Sequence, residues 1–248
     1  MDWSRAKTIL IISFMFLNLI LGYQLWTNRS VQLQTVAEAS TSLEELRALS
    51  KSKNIELPSE LPKEVPKLKE IVVRFDENMR SDRQLPVQTP FRYSPLLSKG
   101  ALKDSPVKLA VPHFEAYQYD PVESKSGVYV FHQIYGTLPM FEVRLELLET
   151  NGQITAYKQG YVEVQSEGEQ KEQKVIPMNI ALRSLIENYL PNGSVIASMK
   201  LGYHGQVYNS QTMYMVPSWR VALTNGDFYF IHALNGAVEV PQTNKKSP

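Results

Sequence analysis

The chain has 248 residues with 26 Lys and Arg against 25 Asp and Glu, so no basic excess points to nucleic acid or to an acidic substrate. Cysteine is absent, which excludes disulfide frameworks, thiolate metal sites and a cysteine nucleophile. Hydrophobic residues make up 43% of the chain, enough to bury a core and to exclude global disorder.

The first predicted element is Thr8 to Trp26, 19 residues without a formal charge. As a helix it would span roughly 28 Å at about 1.5 Å per residue, close to a bilayer core of about 30 Å. Arg5 and Lys7 precede it, whereas only Arg29 appears soon after it. The positive-inside rule therefore places the N-terminus in the cytoplasm and the remainder outside the cell membrane as a single-pass protein. A cleaved signal peptide and a buried core helix are the rivals. The apolar run is long for the former, and the A-x-A triplet Ala37-Glu38-Ala39 lies well beyond Trp26. Met15, Asn18, Gly22 and Leu25 fall along one face of this helix. A small residue lets helices approach and an asparagine can bond across them, so these four form a candidate transmembrane partner interface.

Beyond a polar stretch, Ser42-Leu43-Glu44-Glu45 has capping-box spacing and Leu43, Leu46 and Leu49 recur at helical intervals. This predicts a membrane-proximal helix, either a solvated stalk or a surface for a partner helix. Pro58, Pro62 and Pro66 then exclude a regular helix and favour an extended spacer. Nine of the fifteen prolines fall between Pro58 and Pro121, where short strands, among them Ile71 to Phe75, should alternate with irregular loops.

From Gly127 the pattern sharpens. Val128 to Tyr135 is β-branched and aromatic. Phe141, Val143, Leu145 and Leu147 alternate with Glu142, Arg144 and Glu146, the period of a half-buried strand. Asn151-Gly152 supplies a tight turn, and Ile154 to Val164 returns as the next strand of an antiparallel meander. After a polar loop, Gln165 to Lys174, a helix begins near Pro177 with Met178, Leu182, Leu185, Ile186 and Tyr189 on its apolar face. Strands follow at Ser194 to Tyr203, Met213 to Leu223 and Phe228 to His232, with a short terminal strand through Val240.

The reading is an α+β protein: a single N-terminal transmembrane helix, then an extracytoplasmic region of two small helix-on-antiparallel-sheet modules. Its parts are a cytoplasmic tail 1–7, the anchor 8–26, a helix or stalk 27–57, a first β-rich module 58–165 and a second module 166–248.

No catalytic, cofactor-binding or metal site emerges. His113, His132, His204 and His232 make no H-E-x-x-H motif and share no ligand spacing with a carboxylate. His132 and His232 sit in predicted strands, where an exposed or satisfied histidine is the commoner explanation. G-x-S-x-G, the S-x-x-K set and a Gly-rich phosphate loop are absent, and Glu44 with Glu45 falls on a solvated helix. Tyr129, Phe131, Tyr135 and Phe141 read as core in preference to a ligand groove. Gln133 is expected to be buried and to satisfy its amide structurally.

The N-terminal Met1-Asp2-Trp3-Ser4-Arg5-Ala6-Lys7-Thr8-Ile9 running into the anchor resembles the start of the YycI (WalI) family. Tyr129-Val130-Phe131-His132-Gln133 leading to Pro139-Met140-Phe141, then Asn151-Gly152 and Tyr157-Lys158-Gln159, fit the same family. The resemblance implies a single-pass membrane protein of Gram-positive bacteria and a regulatory role in two-component signal transduction controlling cell-wall metabolism. It implies contacts with the sensor histidine kinase WalK (YycG) and with the sister protein YycH, and leaves activation or repression open. Pro217-Ser218-Trp219-Arg220-Val221, Phe228 to Ala233 and Asn235-Gly236 also look like a PepSY module. That likeness keeps a second reading open, an extracytoplasmic protease inhibitor or folding factor. A wall hydrolase, the third class, lacks a catalytic constellation.

Overall fold

A computed structural model describes residues 7, 10–11, 13–18, 21, 41–58, 61–62, 65–76, 79, 83–94, 106–167, 171–207 and 211–241. The chain divides into two compact units, Met1–Ala48 and Leu49–Pro248. In the first, the described residues between 7 and 21 are helical and exposed. Among the described residues no helix is long and apolar enough to cross a membrane. Much of the predicted 8–26 anchor, and any continuity with the next helix across 27–40, lies outside the described residues.

The predicted helix around Leu43 is α1 (Thr41–Ser52), with Leu46 fully buried. It ends as helices with a left-handed terminal residue do. Asn54 has φ 55°, its amide bonds the Lys51 carbonyl, and the Ile55 amide bonds the Ser50 carbonyl. The chain then runs through the proline segment into β1 (Lys67–Leu68) and β2 (Ile71–Phe75). The next strand, β3 (Gln84–Phe91), contains Pro86 and Pro90 and, among the described residues, pairs with a single neighbour. An edge is where a strand tolerates a residue without an N–H donor. Two elements carry no sequence forecast: α2 (Pro106–Ala110) and a 3₁₀ turn, Phe114–Ala116, that leads into β4 (Tyr117–Tyr119).

The meander appears as forecast in its first half. β5 (Val128–Tyr135) pairs with β6 (Leu138–Thr150), and the alternation of β6 buries Phe141, Val143, Leu145 and Leu147. Asn151 (φ 52°) and Gly152 (φ 77°) make the turn into β7. The expected single strand Ile154 to Val164 is two. β7 (Gln153–Gln159) stays with β6, whereas β8 (Val162–Glu167) leaves to pair with β2. The break falls at Gly160, whose amide bonds the Arg144 carbonyl and whose carbonyl accepts the Tyr117 hydroxyl at 2.5 Å. Held by those two bonds, the backbone turns out of the ladder there. Consequently the expected loop 165–174 begins inside β8 and ends in β9 (Gln173–Lys174), which pairs with β1.

The second helix of the sequence reading is α3 (Met178–Asn188), with Pro177 as its N-cap and Met178, Leu182, Leu185 and Ile186 buried. Tyr189 lies past its end and is 42% exposed, so it does not belong to the apolar face. The Lys53 ammonium donates to the carbonyls of Ile186 and Glu187 at 2.7 and 2.8 Å, placing a cation where the helix ends. The remaining strands are β10 (Ile196–Val207), β11 (Thr212–Leu223), β12 (Phe228–His232) and β13 (Val238–Glu239).

The protein is thus mixed α+β, mostly sheet with few helices. Eleven of the described strands form one sheet network, along which β13-β12-β11-β10-β6-β5-β4 are successive neighbours. β10 and β6 meet at a single parallel bridge, Tyr203 to Met140. β2 pairs with β8 on one side and with the first half of β11 on the other, so strands from the two halves of the sequence interleave. Two apolar clusters follow from this plan. One gathers Phe91, Phe114, Phe131, Leu145 and Tyr157, and the other gathers Ile71, Met140, Val143, Tyr203 and Met215.

Candidate functional site: a buried charge cluster

On one face of β11, Arg220 is 1% exposed, a position that a guanidinium can occupy only if it is paired. The turn after β4 supplies the partners. Asp120 accepts a hydrogen bond from Arg220 Nη2, and Glu123 Oε1 accepts one from Nη1 at 2.5 Å. The turn is preorganised: Asp120 Oδ1 accepts the Val122 amide at 2.9 Å, and the Ser124 hydroxyl donates to the Asp120 carbonyl while accepting the Val130 amide. Arg144 Nη2 reaches Glu123 Oε2 at 3.2 Å from β6. His132 on β5 places Nε2 at 3.1 Å from Glu123 Oε1 and 3.5 Å from Asp120 Oδ2. The Arg220 guanidinium carbon also lies 4.5 Å from the centroid of the Phe141 ring, a cation–π contact.

Burial alone would push both carboxyls up. For Asp120, the charge and hydrogen bond of Arg220, helped by His132 and the Val122 amide, outweigh it and hold the group below its ordinary range. For Glu123, His132, Arg144 and Arg220 do the same. Nearby on β10, burial lowers the Lys200 ammonium, which donates to Gln118 Oε1 at 3.2 Å. A group depressed in the folded state stabilises it above the unfolded value and loses that contribution as pH falls through the folded value. The urea midpoint should therefore hold steady between about pH 6.5 and 5 and drop below that, with a shallower drop in Asp120→Asn. An acid limb of the same slope in wild type and variant would show that Asp120 carries none of it.

Asp120, Glu123 and His132 bring three ligand atoms within 4.8 Å of one another, a convergence that their spacing in the chain did not reveal. The chemistry does not fit a metal ion. Two carboxylates already face two guanidiniums, and the Arg220 nitrogens occupy the positions from which a cation would meet both acids. At 7% exposure or less, Asp120, Glu123, His132 and Arg220 are also out of reach of a substrate. Their arrangement can do one thing well, which is to fasten the Asp120–Ser124 turn and β5 to β11.

Of the other sequence candidates, Gln133 is 6% exposed and clamps Val162 by donating to its carbonyl at 2.8 Å and accepting its amide at 2.9 Å. Its amide is satisfied structurally, as the sequence indicated. The aromatic residues do not converge on a groove. Phe131 meets Tyr93, Phe114 and Tyr119 edge-on, Tyr135 meets Tyr203, and Phe141 meets Phe230. His113 is exposed and stacks on Tyr161, and His232 Nδ1 accepts the Leu234 amide. In the anchor stripe, Met15 and Asn18 are exposed on helix, and Asn18 Nδ2 donates to the Phe14 carbonyl at 2.9 Å. Gly22 and Leu25 lie outside the described residues.

A family model described as YycI protein matches residues 32–234, most of the chain. The chain belongs to the YycI family. YycI is a regulatory family, and membership implies involvement with the WalK (YycG) two-component system. No curated protein matches the chain. Among solved structures, the chain is similar to an uncharacterized protein from Eubacterium rectale ATCC 33656 at 11% identity and a TM-score of 0.33. That likeness covers 48% of this chain and 44% of the other, so the YycI chain spans less than half the length of that protein.

Proposed function

We propose that this YycI chain is a membrane-anchored, extracytoplasmic accessory regulator of the sensor kinase WalK, acting together with YycH through transmembrane and extracytoplasmic contacts. The observation that carries the reading is the family match over 32–234, which covers most of the predicted extracytoplasmic region downstream of the apolar run 8–26. The buried charge cluster fastens the sheet beneath any such contact surface, its acids being neutralised and shielded. Regulation would then be differential binding: contacts that favour one signalling conformation of the kinase shift its population by the difference in affinity. Confinement of both partners to one membrane raises their effective concentration, so weak lateral contacts suffice.

Within the anchor, Met15, Asn18, Gly22 and Leu25 form the partner stripe of this reading. The Asn18 amide is bonded within its own helix, which leaves its Oδ1 to accept from a neighbouring helix. Such a bond contributes about 0.6 to 2 kcal/mol. Asn18→Leu with Gly22→Leu should therefore reduce in-membrane crosslinking to WalK or YycH several-fold; unchanged crosslinking removes the stripe as the interface. The function itself is tested by deleting the gene and measuring phosphorylation of the response regulator, with complementation by the full chain or by residues 1–50. Restoration by the short piece locates regulation in the anchor, and restoration by the full chain alone locates it in the ectodomain. Unchanged phosphorylation on deletion overturns the reading.

A further inference from the structure

A second set of charges, apart from the Arg220 cluster, joins three strands. His204 on β10 directs Nδ1 at Glu142 Oε1 on β6 and places Nε2 at 3.1 Å from Glu239 Oε2 on β13. Its ring lies flat on that of Phe230 on β12, with centroids 3.8 Å apart and planes 4° apart. We propose that His204 is a pH-responsive clasp that fastens the C-terminal strand β13 to the sheet when protonated and releases it when neutral. An imidazolium donates from both nitrogens and can satisfy both carboxylates, whereas a neutral imidazole carries one N–H and can satisfy one.

The two carboxylates are not equivalent, and the difference decides which end lets go. Glu142 is 23% exposed and its second oxygen accepts the Gly205 amide at 3.1 Å, so it stays anchored without the proton. Glu239 is 43% exposed and sits on a two-residue strand that, among the described residues, has two register pairs, Phe230 with Glu239 and Ile231 with Val238, next to one further backbone bond from the His232 amide to the Ala237 carbonyl. Release therefore falls on β13. Glu239, Phe230 and Phe228 also line a cleft of about 270 Å³, so loosening β13 moves one wall of that cleft.

The surroundings leave these two acids in control. Across the β10–β11 ladder, His204 faces Val216, and β12 contributes the uncharged Phe230. His232, farther along β12, is pushed down by burial and uses Nδ1 as an acceptor. Lys200 on β10 bonds Gln118, and Arg220 on β11 is engaged by Asp120 and Glu123. Burial would lower His204, but the hydrogen bonds and charges of Glu142 and Glu239 raise it above its ordinary value of 6.5. A raised folded-state value gives stabilisation that is complete below about pH 6.5 and lost as pH rises through the folded midpoint.

The test is amide hydrogen exchange of the full chain in lipid nanodiscs between about pH 5 and 9, corrected for the intrinsic pH dependence of exchange. Protection in peptides covering 230–240 should fall about five- to tenfold through a midpoint above 6.5, while peptides of β5 stay constant. His204→Gln and Glu239→Gln should each abolish that dependence. The second keeps the Glu142 pair and sits at a half-exposed position, so it reads out even if the first fails to fold. In Glu239→Gln the His204 imidazole should also titrate lower by NMR, having lost one carboxylate. Flat protection in wild type, or the same pH dependence in Glu239→Gln, overturns the clasp.

Discussion

Arg220→Met should destabilise the ectodomain by about 3–5 kcal/mol in urea unfolding, because it strands Asp120 and Glu123 in the interior without their cation. Methionine preserves much of the side-chain volume, so the loss reports charge and not a cavity. Arg220→Lys should fall between wild type and Arg220→Met. A single ammonium keeps the charge but cannot present the two separate guanidinium nitrogens that now meet Asp120 and Glu123. The triple variant Arg220→Met, Asp120→Asn, Glu123→Gln should regain much of the loss, since removing a whole buried ionic group costs far less than removing one member. A change below about 1 kcal/mol in Arg220→Met would mean that water or a rearranged Arg144 already serves the acids, and the cluster would not be a fastening between β11 and the Asp120–Ser124 turn. Such a loss is a large part of the total stability of a domain of this kind. A phenotype at Arg220 would therefore reflect a lost fold and not a lost contact with the kinase, and unfolding data must accompany any signalling assay.

The sequence made some of this visible and hid the rest for physical reasons. β6 and α3 were legible because each buries one face and announces it by period, with turn residues at the ends: Asn151-Gly152 for β6 and Pro177 for α3. β5 and β12 were legible from their β-branched and aromatic runs, although β5 buries four successive residues, Val130 to Gln133. The division of β7 from β8 was not legible. Ile154 to Val164 reads as one run, and the partner that draws β8 away, β2, lies some ninety residues earlier. The same holds for the charge cluster. Asp120, Glu123 and Arg220 are separated by 97 and 100 positions and look individually ordinary. One signal was present: Arg220 interrupts Trp219-Arg220-Val221-Ala222-Leu223, where every neighbour is buried. A charge in the middle of such a run must find a counter-charge, and that requirement could have prompted a search for the acids. His204 offered no comparable signal, since its two carboxylates come from strands 62 and 35 positions away in opposite directions.

Gly202→Val should be among the most damaging single changes in β10, costing about 4 kcal/mol or more and leaving little folded protein. The reason is the crossing of β10 and β6. Their only register pair is Tyr203 with Met140, and at the neighbouring position the two backbones approach so closely that no side chain fits. A Cβ on Gly202 would lie 2.5 Å from the Pro139 carbonyl oxygen and 2.6 Å from two carbons of the Phe141 ring. The ring could rotate away, although it supports the Arg220 guanidinium from below. The carbonyl belongs to the backbone of β6 and can move only with the strand. These two obstacles predict a graded rescue. Gly202→Ala should be destabilising by about 1–3 kcal/mol, and adding Phe141→Leu should recover part of that but not all, because the contact with Pro139 persists. Full recovery in the double variant would mean that the ring alone sets the limit. Gly202→Ala with wild-type stability would mean that β6 and β10 are farther apart, and the interleaved sheet that carries both charge clusters would not hold together as described.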